Sequence, residues 1–186
     1  MPSLLEFKNF NQQWFAVRVR SNFEKPAAEA LRGRGYEEFL PLYRALRVWP
    51  TRIREVEVPL FPGYVFCRFN PADRLPILTT PGVVHIVGVG KTPAPVDNEE
   101  LAAVRRILDS RLLAEPWPFV NVGERVLVVH GSLNGLEGIV VSLKKNCRLI
   151  VSVTLLQRSV AVEIDRSWIR PFGDAERSPA VLPRVS

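Results

Sequence analysis

Few residues of this chain have the types and spacing that catalysis requires. The two histidines, His85 and His130, belong to no Cys-His or Ser-His-Asp arrangement that local spacing brings together, and no glycine-rich phosphate loop occurs. Cys67 and Cys147 form no CxxC pair, so neither a zinc site nor a disulfide framework is indicated. The sequence predicts a protein that is not an enzyme and has no metal or other cofactor.

Aromatic side chains cluster in the segment FPGYVF, residues 61–66. The Pro62-Gly63 pair predicts a turn, and the two-residue period of the strand that follows puts Tyr64 and Phe66 on one side, near Phe61. Such a patch is either core or a docking surface for another protein. Sheet packing alone favours core, because strand aromatics usually pack against a helix.

Basic residues could bind the phosphates of nucleic acid. The chain has 25 Lys and Arg against 19 Asp and Glu, a net charge of +6, which suits a polyanionic partner without identifying it. Two groups are dense enough to consider: Arg44, Arg47, Arg52 and Arg54, and later Lys144, Lys145 and Arg148. Because Glu55 and Glu57 adjoin the first group, a salt-bridged hairpin and a nucleic-acid surface are equally expected there.

The composition indicates a folded protein, since 47% of the residues are hydrophobic, enough to bury a core. The N-terminus has no signal-peptide pattern, and no apolar run approaches the roughly 20 residues that cross a membrane. We expect a cytoplasmic, monomeric protein with no membrane partner.

Strand and helix signals alternate over residues 12–113. Strands are predicted at residues 14–20, 46–58 (an exposed strand or a hairpin arm), 64–69 and 83–87. Helices are predicted at residues 23–32, 71–78 and 97–112. The first has Ser21 and Glu24 at capping-box spacing, and Asp97 caps the last. This order predicts an α+β sandwich of ferredoxin-like character.

The character of the sequence changes after residue 113. Pro116 and Pro118 predict a stiff linker at residues 114–119. Beyond it, short strands separated by turn residues predict a small five-stranded β-barrel over residues 120–172. We expect residues 1–11 to be an N-terminal extension and residues 173–186 a frayed tail.

Several motifs occur in the order and spacing of a known family. The segments WFAVRV (14–19), FPGYVF, TTPGVVHIVG (79–88) and NEELAAVRRIL (98–108) resemble the N-terminal NGN domain of the NusG family. Residues 122–153 resemble the KOW motif that follows it. The resemblance covers about residues 14–172, and it implies an NGN α/β sandwich followed by an SH3-like KOW barrel.

The resemblance implies a transcription elongation factor that suppresses pausing and termination. In this family the NGN domain binds the clamp helices of the largest subunit of RNA polymerase through a hydrophobic depression. The aromatic positions of that depression map onto Phe61, Tyr64 and Phe66.

Family members also contact the displaced non-template DNA strand. Arg20 matches a basic position used for that contact, and the nearby candidates are Arg18, Lys25 and Arg34. A solvated charge is an equally expected role for each.

The short loop between Leu46 and Val58 and the segment at residues 158–163 resemble those of the specialised, operon-specific paralogues of the RfaH and UpxY kind. Where the housekeeping protein has a Phe that helps to bind a ribosomal protein or Rho, this chain has Leu155-Leu156. Leu156 is therefore the candidate contact for another partner. Since the C-terminal segment is rich in Val and Ile and interrupted by glycines, we expect a stable barrel rather than a helical hairpin.

Two alternatives stay open at this point. One is the housekeeping role within the same family. The other belongs to a different class, a KOW-type RNA-binding or ribosome-associated module, in which Lys144, Lys145 and Arg148 hold phosphates.

Overall fold

The computed structural model describes residues 12–50, 52–119, 123–143 and 146–172. The α-helices are α1 (Glu24–Gly33), α2 (Leu75–Leu78) and α3 (Asn98–Asp109). The strands of the N-terminal part are β1 (Gln13–Val19), β2 (Glu37–Phe39), β3 (Leu42–Trp49), β4 (Arg52–Pro59), β5 (Tyr64–Phe69), β6 (Val83–Ile86), β7 (Gly88–Val89) and β8 (Thr92–Pro93). The later strands are β9 (Ala114–Pro118), β10 (Glu124–Val128), β11 (Glu137–Leu143), β12 (Asn146–Val153), β13 (Arg158–Ile164) and β14 (Ile169–Pro171).

An antiparallel sheet in the order β2-β5-β1-β6 forms the centre of the N-terminal part. The interior strands β5 and β1 are covered on both faces of the sheet. Successive residues along them are therefore apolar and pack alternately into two different hydrophobic clusters. Phe15 and Val17 pack in the cluster that includes α1, and Ala16 and Phe66 pack in the cluster that includes α3. The α+β sandwich is confirmed, as is the prediction that residues 64–69 form a central strand.

Helix α1 begins within one residue of the predicted position, but its cap differs from the prediction. The N-cap is Phe23, which makes no side-chain capping bond. The carboxylate of Glu24 instead accepts a hydrogen bond from the Gly63 amide at 2.8 Å. The predicted capping box is therefore wrong, because this buried carboxylate bonds the turn before β5 rather than the start of its own helix.

Helix α3 follows the predicted pattern. The Asp97 carboxylate accepts a hydrogen bond from the Glu99 amide at 2.7 Å, which caps the first turn. Leu101, Val104 and Ile107 recur at helical spacing and are all buried. The cap and the apolar stripe together orient α3 on the sheet.

Strands β9–β14 form a second antiparallel sheet, in the order β14-β10-β11-β12-β13-β9, which we call the C-terminal sheet. The prediction of a stiff linker at residues 114–119 is wrong, because β9 pairs with β13 from Val162↔Ala114 to Arg158↔Pro118. As β9 is an edge strand, Pro116 and Pro118 can occupy it without breaking a central ladder. The expected β character is confirmed: only 3₁₀ turns interrupt the strands among the described residues from 114 onward.

The thiol of Cys67 lies in the core beside α1 and is fully buried. Burial raises the pKa of this thiol from 9.0 to about 12, and the nearby carboxylates of Glu38 and Glu37 add to the rise. A raised pKa in the folded state means that the thiolate forms more readily in the unfolded chain. The contribution of this thiol to the free energy of unfolding is therefore fully present below about pH 9 and is lost as the pH rises toward about 12.

We expect Cys67 to resist alkylation by iodoacetamide at about pH 8 while the chain is folded, and to react once urea unfolds it. The measurement is mass spectrometry of labelled peptides in a Cys147→Ala background. In a Cys67→Ala variant, the part of the decline in unfolding free energy between about pH 9 and about 12 that comes from this thiol should be absent. Labelling of the folded chain at the rate of a free thiol would contradict the expectation.

Candidate functional site

Two of the three aromatic candidates lie inside the fold. Phe61 is 1% exposed and Phe66 is 0% exposed, and their rings meet edge to face with centroids 5.6 Å apart. Phe39 stacks on Phe66 at 6.1 Å. The expectation that Phe61 and Phe66 present their rings at the surface is therefore wrong for this conformation, because both belong to the cluster that α3 helps to close.

Tyr64 is the aromatic candidate that remains partly accessible. The guanidinium of Arg18 lies 4.8 Å from its ring centroid, and that of Arg158, from the C-terminal sheet, lies at 5.9 Å. Gly63 precedes it with a φ of +81°, and a Cβ there would lie 2.5 Å from Nη1 of Arg18. The turn thus requires glycine for its backbone angle, and a Cβ there would also displace the flexible end of Arg18.

The C-terminal sheet contacts the N-terminal part at several points. The Glu100 carboxylate on α3 accepts hydrogen bonds from the Thr154 amide at 3.1 Å and from the Thr154 hydroxyl at 2.6 Å. The Arg106 guanidinium donates to the carbonyl oxygen of Asn134. Together with Arg158 over Tyr64, these pairs form what we call the interdomain contact. In this conformation the C-terminal sheet reaches the ring of Tyr64.

Most of the basic candidates near β1 and α1 already have partners. Lys25 pairs with Glu57 at 3.3 Å, and Arg34 donates to the Pro76 carbonyl. Arg18 lies over Tyr64, as described above. Arg20 is exposed and is the member of this group best placed for a ligand.

The hairpin β3–β4 separates its basic candidates into two kinds. Arg44 pairs with Glu55 at 3.4 Å, so the salt-bridge interpretation holds for that residue. Within the described residues, Arg47, Arg52 and Arg54 form no ion pair, and all are exposed. The four arginines predicted as one basic group therefore differ, since only Arg44 is paired within the described residues.

The candidates in the C-terminal sheet are less available than expected. Arg148 pairs with Glu115 and stacks over Trp117 at 4.9 Å, and Leu156 is buried. The burial of Leu156 contradicts its expected role as an accessible partner contact. Lys144 and Lys145 lie outside the described residues.

The family model described as "Transcription termination factor nusG" matches residues 12–105, half of the chain. The chain belongs to the NusG family. The match spans β1 through most of α3, and it therefore includes the FPGYVF turn and strand.

Curated relatives extend this similarity over nearly the whole chain. The NusG protein of Lactococcus lactis is 28% identical over 176 residues, which cover 87% of this chain and 94% of that protein. That of Thermus thermophilus is 28% identical over 181 residues, covering 84% and 97%. Both are named transcription termination/antitermination protein NusG.

A solved structure agrees on the fold. It is titled "Domain interaction in Thermotoga maritima NusG", is 21% identical, and aligns with a TM-score of 0.51 over 86% of this chain and 96% of that one. This supports the assignment of the overall fold.

The described residues lack two kinds of feature. No group of three or more His, Cys, Asp or Glu side chains there is placed to hold a metal ion. In the same residues, no helix is long and apolar enough to span a membrane.

Sequence reasoning missed Glu100 and Arg158, which make the interdomain contact. Glu100 stood out only as a first-turn acidic residue suited to the helix dipole. Its partner Thr154 lies 54 residues away, and no local pattern reports such a distance. An aligned set of relatives in which the two positions vary together would be the signal to look for.

We expect Glu100→Ala to loosen the interdomain contact, because it removes the acceptor of the Thr154 amide and hydroxyl. Hydrogen exchange measured by mass spectrometry on the full chain should become faster around Thr154 and around Tyr64. Glu99→Ala is the matched control, since it removes the same charge from the same turn. Equal exchange in the wild type and both variants would show that the contact contributes nothing in solution.

Proposed function

We propose that this chain is a transcription elongation and antitermination factor that binds RNA polymerase through its N-terminal domain, residues 12–113. The observation that carries the proposal is the family match over residues 12–105, with near full-length similarity to proteins named for termination and antitermination. The chain would act in the cytoplasm by binding, without bond chemistry.

Tyr64 is the residue that we propose as the anchor for the clamp helices of the polymerase. It begins β5, and its ring is half-buried at the boundary between the apolar cluster and solvent. Phe61 and Phe66 would act through it, because they pack beneath the same strand and hold its position. Tyrosine is common at such anchors, since a rigid ring buries apolar area while its hydroxyl stays hydrated.

Binding would require the C-terminal sheet to move, because Arg158 lies over the Tyr64 ring. The polar part of the interdomain contact is weak enough for a partner to replace. Exposed hydrogen bonds contribute about 1 kcal/mol each, and an exposed cation–π pair about 0.5–1 kcal/mol. Apolar residues of both sheets also share one buried cluster. Clamp helices would therefore have to bury the Tyr64 ring and further apolar surface to displace the C-terminal sheet.

We propose further that the chain serves particular operons, because its short loop between Leu46 and Val58 and its residues 158–163 resemble the specialised paralogues, and because Leu156 is buried rather than available to a partner. The similarity to Lactococcus lactis and Thermus thermophilus NusG favours the housekeeping role as the second candidate. Sequencing of nascent RNA after deletion of the gene separates them. Changes confined to one or a few long operons support the first role, and a genome-wide shift in pausing supports the second.

We expect Tyr64→Ala to weaken binding of the full chain to core RNA polymerase by about 30-fold, the loss typical of an aromatic anchor. Glu100→Ala should instead strengthen binding, because it releases the sheet that covers Tyr64. Leu75→Ala, which removes an exposed apolar side chain on α2, is the control and should leave the dissociation constant unchanged. The measurement is biolayer interferometry with immobilised polymerase.

Either of two results would count against the mechanism. If Tyr64→Ala bound as tightly as the wild type while remaining folded, Tyr64 would not be the anchor. If Glu100→Ala bound more weakly than Glu99→Ala, the C-terminal sheet would assist binding rather than compete with it.

A further inference from the structure

The outer half of the β3–β4 hairpin projects away from the body of the protein. Tyr43, Ala45, Val56 and Val58 are half-buried at its base. Every described residue from 46 to 55 is exposed, including Trp49, which is 53% exposed. An indole left in water is uncommon for a residue that usually packs, so this tip needs a functional explanation.

The pairing register sorts the side chains of the tip onto two faces. Arg47 lies opposite Arg54, and Trp49 lies opposite Arg52, so these four residues share one face. We call it the arginine–tryptophan face. The other face carries Arg44, Leu46, Val48, Ile53, Glu55 and Glu57. Both glutamates of the hairpin are therefore on the face that lacks Arg47, Arg52 and Arg54.

The two faces also differ in how their charges are compensated. On the second face, Glu55 pairs with Arg44 at 3.4 Å and Glu57 with Lys25 at 3.3 Å. On the arginine–tryptophan face, Arg47 and Arg54 are direct cross-strand neighbours of like charge, an arrangement that destabilises a hairpin. A polyanion that bound there would remove this repulsion.

The spacing suits a nucleotide strand with unpaired bases. Cross-strand partners lie about 5 Å apart, and same-face neighbours recur about every 6.6 Å along a strand. One base can therefore stack on Trp49 while adjoining phosphates contact the arginines. Positive charge together with an exposed aromatic ring is the combination that single-strand binding proteins use, and stacking requires a base that is not paired.

We propose that the arginine–tryptophan face binds single-stranded nucleic acid, with Trp49 stacking on a base and Arg47, Arg52 and Arg54 contacting phosphates. This surface adds a nucleic-acid contact to the polymerase-binding role proposed above. It is tested without polymerase, so the two proposals fail or succeed separately.

The test is fluorescence anisotropy of the full chain with a labelled oligothymidylate of about 15 nucleotides, measured over a range of salt concentrations. We expect Trp49→Ala to weaken binding by about tenfold or more. Arg47→Ala with Arg54→Ala should weaken it and lower the slope of log K against log salt by about 0.7 for each arginine. Arg44→Ala is the matched control, because it removes an arginine of the same hairpin from the paired face.

Two further measurements separate binding from a structural role. Titration with the oligothymidylate should quench tryptophan fluorescence in the wild type, and Trp49→Leu should abolish the quenching although the other three tryptophans remain. Arg54→Glu should raise the melting temperature by placing opposite charges across the hairpin, and yet weaken oligonucleotide binding. A residue that only supports the fold would not move these two readouts in opposite directions.

The proposal is overturned if Arg44→Ala weakens binding as much as the double arginine variant, or if a duplex of the same length binds as tightly as the single strand. It is also overturned if the variants of this face bind the oligonucleotide normally but lose polymerase binding, since the face would then contact protein. An oligouridylate compared with the oligothymidylate distinguishes RNA from DNA as the natural strand, and either preference supports the proposal.

Discussion

The hydrogen bond from the Gly63 amide to the Glu24 carboxylate holds the turn from which Tyr64 extends. It joins the first turn of α1 to the turn that begins β5, two segments 39 residues apart. The carboxylate is buried at the N-terminus of a helix, where the helix dipole favours negative charge and one backbone amide supplies its donor. The Arg18 guanidinium passes beside Gly63 and lies over the Tyr64 ring, so the same turn, guanidinium and ring are in contact.

Helix α3 has two tasks that follow from its sequence pattern. Its apolar stripe closes one face of the central sheet over Phe66, while Glu100 and Arg106 extend from the helix toward the C-terminal sheet. A single helix therefore supports the aromatic strand and carries the contact that brings Arg158 over Tyr64. Any change in the tilt of α3 would alter both, so the apolar cluster and the interdomain contact are mechanically coupled.

The sequence predicted those parts of the fold that depend on local signals. The cap at Asp97, the apolar stripe of α3 and the alternation in β5 each lie within a few residues, and each was confirmed. The prolines of β9 were misinterpreted as a linker, because nothing local shows that β13 lies alongside them. At the site, sheet physics favoured core for Phe61 and Phe66, and the structure agrees with that rather than with an exposed patch. The contacts of Glu24 and Glu100 join distant segments, so no spacing rule could have found them.

Residues at the base of the β3–β4 hairpin set its pairing register. That register determines which side chains share a face at the tip. Four half-buried residues share the face that turns toward the protein: Tyr43, Ala45, Val56 and Val58. A one-residue shift in register would turn the two that belong to one strand toward solvent. That same shift would bring Arg47 opposite Glu55 and relieve the repulsion between Arg47 and Arg54. Since the base holds the pairing in place, the residues at the tip are not needed to set the register. The side chains there are free to serve binding, which accounts for an exposed indole beside three arginines that form no ion pair among the described residues, on a ribbon whose glutamates lie on the opposite face.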